Sequence, residues 1–268
     1  MIPSSFRPIL SFLPLVAIVI VNTGCAIGNK HNYRDVLATL PSTSGENVTI
    51  ATHDRRPYVV NNDKSPLFVG LQRGGYGNPF DVENENAEAL SKSFSAAACA
   101  SIVASGGQCD LLDTIPSEET NSIKARLEKS GAPRAVLFTL NEWKSDTMMN
   151  TALHYDVAME VLSPSGTVLL TKRLSGVDDL RGSFWNAPGY AKKVVPMAFK
   201  GKLEQLLGDP EVQASLKSKA IKVSGSSKAG HNNDSSPNES AQSSCSVSQV
   251  LEMKKLGLSD SQIQKTCH

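Results

Sequence analysis

Hydrophobic positions recur with two different periods along this chain, and the places where the period changes outline its elements. In NVTIATHDRRPYVV, Val48, Ile50 and Thr52 alternate with polar neighbours, as a half-buried strand does. In ALHYDVAMEVLS, Leu153, Tyr155, Val157, Met159 and Val161 share one face, and His154, Asp156, Ala158 and Glu160 share the other. That alternation predicts an antiparallel strand with one wet face. RAVLFTLNEW before it and TVLLTKRLSG after it are strands of the same kind. Pro164-Ser165-Gly166 supplies a hairpin turn, and WKSDTMMN reads as a longer hairpin loop with a polar centre.

Elsewhere the period lengthens. Ala87, Leu90, Phe94, Ala97, Ala98 and Ile102 recur at helical steps and end at Gly106 and Gly107. SEETNSIKARLEKSG predicts a second helix, with Ser117 as N-cap, Ile123 and Leu127 on one face, and Gly131 as the stop. A third runs from Tyr190 to Leu207, where Val195, Phe199, Leu203 and Leu206 or Leu207 form the stripe. Pro196 is expected in or near its first turn, and Gly208-Asp209-Pro210 closes it. The order predicts an α+β fold, an antiparallel sheet covered on one face by helices.

FVGLQRGGYGNPFDV lies between the first strand and the first helix and holds Gly70, Gly74, Gly75 and Gly77. Glycine at this density marks either an ordered structural loop or a place where a ligand approaches the backbone, with Arg73 adding charge. Its spacing matches neither a P-loop nor GxGxxG.

The two ends of the chain follow other rules. After Arg7, an apolar run from Ile9 to Val21 is broken only by Ser11 and Pro14. It falls short of the about 20 helical residues that span a bilayer. A positive start, a short apolar stretch and small residues after it predict a secretory signal over residues 1–24, with an uncleaved anchor or a buried helix as the other readings. Residues 25–45 read as a tether carrying Pro41, Gly45 and several Ser and Thr, mobile or only partly packed. At the other end, residues 221–244 are almost devoid of apolar side chains and predict a disordered linker.

Beyond the linker, CSVSQVLEMKKLGLSDSQIQKTCH carries two S-x-x-Q capping boxes, Ser246 with Gln249 and Ser259 with Gln262. Gly257 is placed to end the first helix, and Leu258 and Ile263 fit a hydrophobic staple. A small helical hairpin over 245–268 results. Joining Cys245 to Cys267 would close a loop of about 23 residues and contribute about 3 kcal/mol in the chain-entropy model. Such a tethered hairpin reads as a docking element or as a solvated tail without function.

Cys99 and Cys109 make a second local cysteine pair. An even remainder after Cys25 predicts disulfides in an exported protein, with buried free thiols the alternative for Cys99 and Cys109. Zinc is the rival, but neither CxxC spacing nor a His-x₃₋₅-His partner accompanies either pair.

Composition narrows the function classes. A formal net charge of +1 without clustered Lys and Arg argues against an extended nucleic-acid surface. His31, His53, His154, His231 and His268 are isolated, and no HExxH, GxSxG or SxxK motif occurs. Asp54, Arg55 and Arg56 read as a solvated ion-pair region at a strand end. Trp143 and Trp185 fall in polar stretches, NEWKSD and GSFWNAPGY. With Arg73 and Tyr76 they are the candidate contacts for a partner or glycan, burial against the sheet being the alternative for the tryptophans. No catalytic residue, metal ligand or cofactor is indicated.

Around Cys25, the segment VNTGCAIG resembles the lipobox of bacterial lipoproteins, in which small residues such as Thr23 and Gly24 precede an acylated cysteine. Asn22 departs from the apolar residue usual there, and ordinary cleavage after Ala26 stays open. The resemblance implies lipidation of Cys25, with the membrane as partner. Ala26, in place of the Asp that signals inner-membrane retention, implies the outer membrane with the body facing the periplasm.

Residues 46 to 210 also resemble a loose group of envelope lipoproteins related to the curli secretion channel. That likeness rests on the lipobox, the VTIATHDRRP strand with its Gly-rich loop, and the hairpin FTLNEW…ALHYDVAMEVLSPSGTVLLTKRL. It implies only the fold, an α+β domain over 46–220, and an address in the envelope. With no catalytic motif in the chain, a non-enzymatic module whose domain and C-terminal hairpin bind protein partners in envelope assembly is the first function expected. A module for peptidoglycan or polysaccharide is the second function expected, and an enzyme with a dispersed site the third. Intact mass of the membrane-extracted protein checks the first step: the wild type carries acyl mass on Cys25, and Cys25→Ser loses it.

Overall fold

The computed structural model describes residues 29–43 and 46–217. Expectations for the signal peptide, Cys25, the linker, and the hairpin with Cys245 and Cys267 lie outside these residues. In chain order the elements are β1 (Lys30–His31), β2 (Asn47–Asp54), α1 (Pro57–Val60), β3 (Phe68–Arg73), β4 (Pro79–Asn84), α2 (Leu90–Ala104) and β5 (Gln108–Leu112). α3 (Thr120–Lys129), β6 (Arg134–Thr147), β7 (Asn150–Leu162), β8 (Val168–Gly182), α4 (Ala187–Leu207) and α5 (Pro210–Lys217) follow.

β6 is the axis of the sheet. Along one edge it pairs antiparallel with β7, which pairs antiparallel with β8, as the alternation predicts. The other edge serves two strands in succession. β2 runs parallel to its first half, Val48 facing Arg134 and Asp54 facing Leu140, and β3 runs parallel to its end, Gly70 facing Ser145 and Gln72 facing Thr147. Outside these, β5 pairs parallel with β2, β4 antiparallel with β3, and β1 parallel with β4.

The sheet is therefore mixed, which corrects the antiparallel expectation. Periodicity reports which face a side chain takes, not strand direction. Direction here follows from helical crossovers such as β5–α3–β6, which return the chain parallel. β2 is also buried almost throughout, as a central parallel strand is, and not on one face alone.

Helices pack on both faces, a second correction. Leu90, Phe94, Ala98 and Ile102 of α2, and Val195, Phe199 and Leu203 of α4, join Val48, Ile50, Val136, Phe138 and Met159 in the main core. On the opposite face, Ile123 and Leu127 of α3 pack with Ala51, Ala135, Leu137 and Leu162. Local rules also missed some boundaries. α3 starts at Thr120 after Glu119, so Ser117 is not its cap. α4 begins three residues before Tyr190, capped by the Asn186 side chain accepting from the Gly189 amide, which leaves Pro196 inside the helix. The Gly-rich stretch is the β3–β4 hairpin. Gly70 is required there, because a Cβ would come within 2.1 Å of the Ser145 hydroxyl across the pairing. WKSDTMMN is mostly strand, with only Met148 and Met149 outside it.

Of the segment expected to be a tether, the described residues 29–43 are docked instead: His31, Tyr33, Ala38 and Thr43 are buried. Tyr33 meets Trp143 and Phe199 edge to face at 6.1 and 5.1 Å, and Phe94 meets the same two rings at 5.9 and 5.0 Å. Trp143 reaches this cluster because the β6–β7 register shifts between Leu140 and Glu142. The extra residue moves the inward phase from Val136, Phe138 and Leu140 to Trp143, Ser145 and Thr147.

The shift coincides with the gap between β2 and β3, and Arg56 fills that gap. Its Nε and Nη2 donate to the two oxygens of Asp54 at 2.8 and 2.6 Å. Nη1 donates to the carbonyls of Phe68 and Trp143, and Nη2 also to that of Pro66. Both side chains are buried, which overturns the solvated ion pair expected at this strand end. Removing one partner strands the other charge without solvent, so Asp54→Ala is expected to cost about 3–5 kcal/mol. Urea unfolding measures it, and Asp63→Ala, an exposed change nearby, is the control expected within about 0.5 kcal/mol.

Candidate functional site

The polar groups with catalytic appearance are sealed. His31 Nε2 lies 3.1 Å from Ser145 Oγ, the spacing of a base and a hydroxyl, but the residues are 1% and 0% exposed. A reacting carbonyl has no path to that hydroxyl. Burial, aided by Lys192, lowers the His31 pKa to about 4 and keeps the ring neutral. His53 is likewise buried, with Nδ1 3.4 Å from Thr120 Oγ1, and burial and then Arg55 lower its pKa. Among the described residues no cluster of His, Cys, Asp and Glu could hold a metal ion.

Exposed apolar side chains gather in two places, apart from scattered ones such as Ile115, Val177 and Met197. The first is a rim at the end of the sheet where β3, β6 and β8 finish and β4 and β7 begin. Tyr76 stands fully exposed in the β3–β4 turn, Met148 and Met149 form the β6–β7 turn, and Phe184 and Trp185 follow β8. Phe184 is 76% exposed and Trp185 91%, their rings edge to face at 5.2 Å. Two of these turns are held together: the Ser183 amide donates to the Met149 carbonyl at 3.2 Å. Gly182 packs so closely on that carbonyl that a Cβ would lie 1.8 Å from it. Asn29, the first described residue, donates its side-chain amide to the Pro188 carbonyl just beyond Trp185.

The second place is an open groove of about 530 Å³ between the segment after β1, α2 and β5. Leu37, Val103 and Leu111, each about half-exposed, line it with Cys99 and with the charged Arg34 and Asp35. Cys99 and Cys109 form a disulfide, as expected, tying α2 to β5 at its side. Leu111 faces Ile50, which faces Val136 of β6. The groove and the rim are thus separated by roughly 35 Å of strand along β6.

Of the four candidate contacts, three gather at the rim. Trp185 and Tyr76 are free there, while Arg73 is held by Asp146 in a bidentate pair at 2.7 and 2.6 Å. Trp143 is wholly buried in the aromatic core, so its expected role as a partner or glycan contact is withdrawn; the register shift, invisible to local patterning, put it there. Phe184, Met148 and Met149 escaped notice. Their signal was present as large apolar side chains inside segments otherwise read as polar loops.

No family model matches the chain, and no curated protein does. Solved structures resemble it distantly. A Xanthomonas campestris protein of the DUF330 family is 10% identical with a TM-score of 0.46, over 70% of this chain and 96% of that one. The PelC dodecamer subunit from Paraburkholderia phytofirmans is 9% identical at 0.36, over 69% and 95%. Lipoprotein GNA1162 from Neisseria meningitidis is 11% identical at 0.31, over 61% and 99%. Likenesses this weak carry no functional inference.

His31 makes stability depend on pH in a defined window. Its folded pKa lies below the unfolded 6.5, so the unfolded chain takes up a proton first as pH falls. The contribution is whole above about 6.5, declines toward about pH 4, and totals about 3 kcal/mol. His53 acts in the same direction. In urea titrations from pH 7.5 to 4, His31→Gln is expected to lose about 3 kcal/mol less than the wild type. Parallel curves for the two proteins would show that His31 is not held neutral.

Proposed function

We propose that this chain is a non-enzymatic lipoprotein of the bacterial envelope, anchored to the outer membrane through Cys25, whose periplasmic α+β domain binds envelope proteins. The observation that carries the reading is the groove beside the disulfide. Leu37, Val103 and Leu111 come from separate parts of the chain and hold an apolar surface open to solvent. Exposed aliphatic side chains on a packed floor suit a protein surface better than a small polar substrate. The non-enzymatic part is supported by the core, where His31 and Ser145 are out of reach and both Asp54 oxygens are taken by Arg56. A second reading, binding to peptidoglycan or polysaccharide, is favoured by the exposed ring of Trp185.

Site-specific photocrosslinking in cells separates these readings. A crosslinker at Val103 or Leu111 is expected to give one discrete adduct with an envelope protein. Leu37→Glu is expected to reduce the adduct at least ten-fold while stability changes by no more than about 0.5 kcal/mol, as for an exposed position. Absence of an adduct from both positions removes the groove as a partner site. Binding to isolated sacculi that is abolished by Trp185→Ala favours the second reading.

A further inference from the structure

We propose that the rim of Tyr76, Met148, Met149, Phe184 and Trp185 is a lipid-contact surface that seats the domain on the membrane holding the anchor. The proposal rests on the lipoprotein reading of Cys25, and goes beyond it by assigning an orientation and a second membrane contact.

Three observations converge. The first is chemistry. Trp and Tyr present an apolar body with a polar tip, the combination that settles at the level of lipid headgroups, while Phe and Met reach deeper. All five project from turns at one end of a sheet, and two of those turns are fastened by the Ser183–Met149 hydrogen bond and the close approach at Gly182. The patch is thus presented by a rigid edge and does not depend on a loop reordering.

The second is continuity with the anchor. Asn29 is bonded to Pro188 beside the aromatic pair, and Cys25 precedes Asn29 by four residues. Four residues span at most about 14 Å even when fully extended. A lipid on Cys25 therefore cannot hold the domain away from the bilayer, and the face nearest the attachment is this rim. A free tether of twenty residues would have left the orientation open, but the burial of His31 and Tyr33 removes that freedom.

The third is charge. Among the rim strands, Asp146 is neutralised by Arg73, while Asp179, exposed on β8 opposite Ala152, accepts from the Arg181 amide, and the Arg181 side chain is an exposed cation just before Phe184. These four side chains, Arg73 with Asp146 and Arg181 with Asp179, carry no net charge, so the rim presents its apolar residues without a net negative field against anionic headgroups.

Tryptophan fluorescence tests this directly, because Trp143 is buried and Trp185 exposed. The full, membrane-extracted protein is placed in vesicles of phosphatidylethanolamine and phosphatidylglycerol whose acyl chains are brominated. Bromolipid quenching of at least about 30% of the emission is expected, falling at least five-fold in Trp185→Phe. Iodide in the aqueous phase is expected to quench the vesicle-bound protein less than half as well as the detergent-free Cys25→Ser protein. Undiminished iodide access to Trp185, with no bromolipid quenching, overturns the proposal. Protection by sacculi or by an envelope protein but not by vesicles assigns the rim to that partner and also overturns it. Intact mass of the same sample keeps the two readings apart. If acyl mass is absent, the anchor reading fails, and the rim is judged by vesicle flotation, where Phe184→Ser with Trp185→Ser must lower the bound fraction at least ten-fold.

Discussion

A single guanidinium holds the point where one strand edge has to serve two strands. β2 leaves β6 at Asp54 and β3 joins the same edge some fifteen residues later, so the backbone between them would leave carbonyls facing a buried gap. Arg56 reaches the Asp54 carboxylate and the carbonyls of Pro66, Phe68 and Trp143 with its planar fork. Lysine, a point donor on a flexible stem, could not face acceptors on both strands and the carboxylate at once. The desolvation that makes buried ion pairs costly is offset here because each N–H meets an acceptor.

The rest of the architecture follows from that junction. The register shift beside it turns Trp143 inward, and Trp143 with Phe94 and Phe199 receives the ring of Tyr33. Tyr33 in turn fixes the N-terminal segment on the sheet, adding β1 to the edge of β4 and bringing Asn29 to the start of α4. A packing event in the core therefore fixes where Asn29, the first described residue, sits on the domain. Buried polar groups pair in the interior, His31 Nε2 with Ser145 and Thr52 with Ser95, while His31 Nδ1 is buried without a hydrogen-bond partner. The apolar side chains that gather at the surface do so at the rim and the groove.

Much of the fold was legible from periodicity. β7 and β8, α2 and the core stripe of α4 follow directly from where large apolar residues recur, because β7, α2 and α4 bury one face and β8 lays Leu170, Leu174 and Leu180 half-buried against the core. The disulfide between Cys99 and Cys109 was legible from cysteine parity. Short or edge elements were not: β1, β5, α1 and α5 are too brief for a period to show, and β5 buries little of itself. The candidate site was half legible. Tyr76 and Trp185 stood out as aromatics in polar loops, whereas Trp143, of the same type in a similar setting, went to the core.

That difference between two tryptophans marks the boundary. Residue order fixed the period of each long element, the cysteines able to pair and the short distance from Cys25 to the first packed residue, since these depend on neighbours along the chain. Parallel pairing on β6, the burial of Arg56 and the assembly of three turns into one rim depend on strands far apart in the chain lying side by side. Local pattern carries no information about that adjacency, so of the Asp-Arg-Arg that reads as a wet strand end, Asp54 and Arg56 became the keystone of the interior while Arg55 stayed exposed.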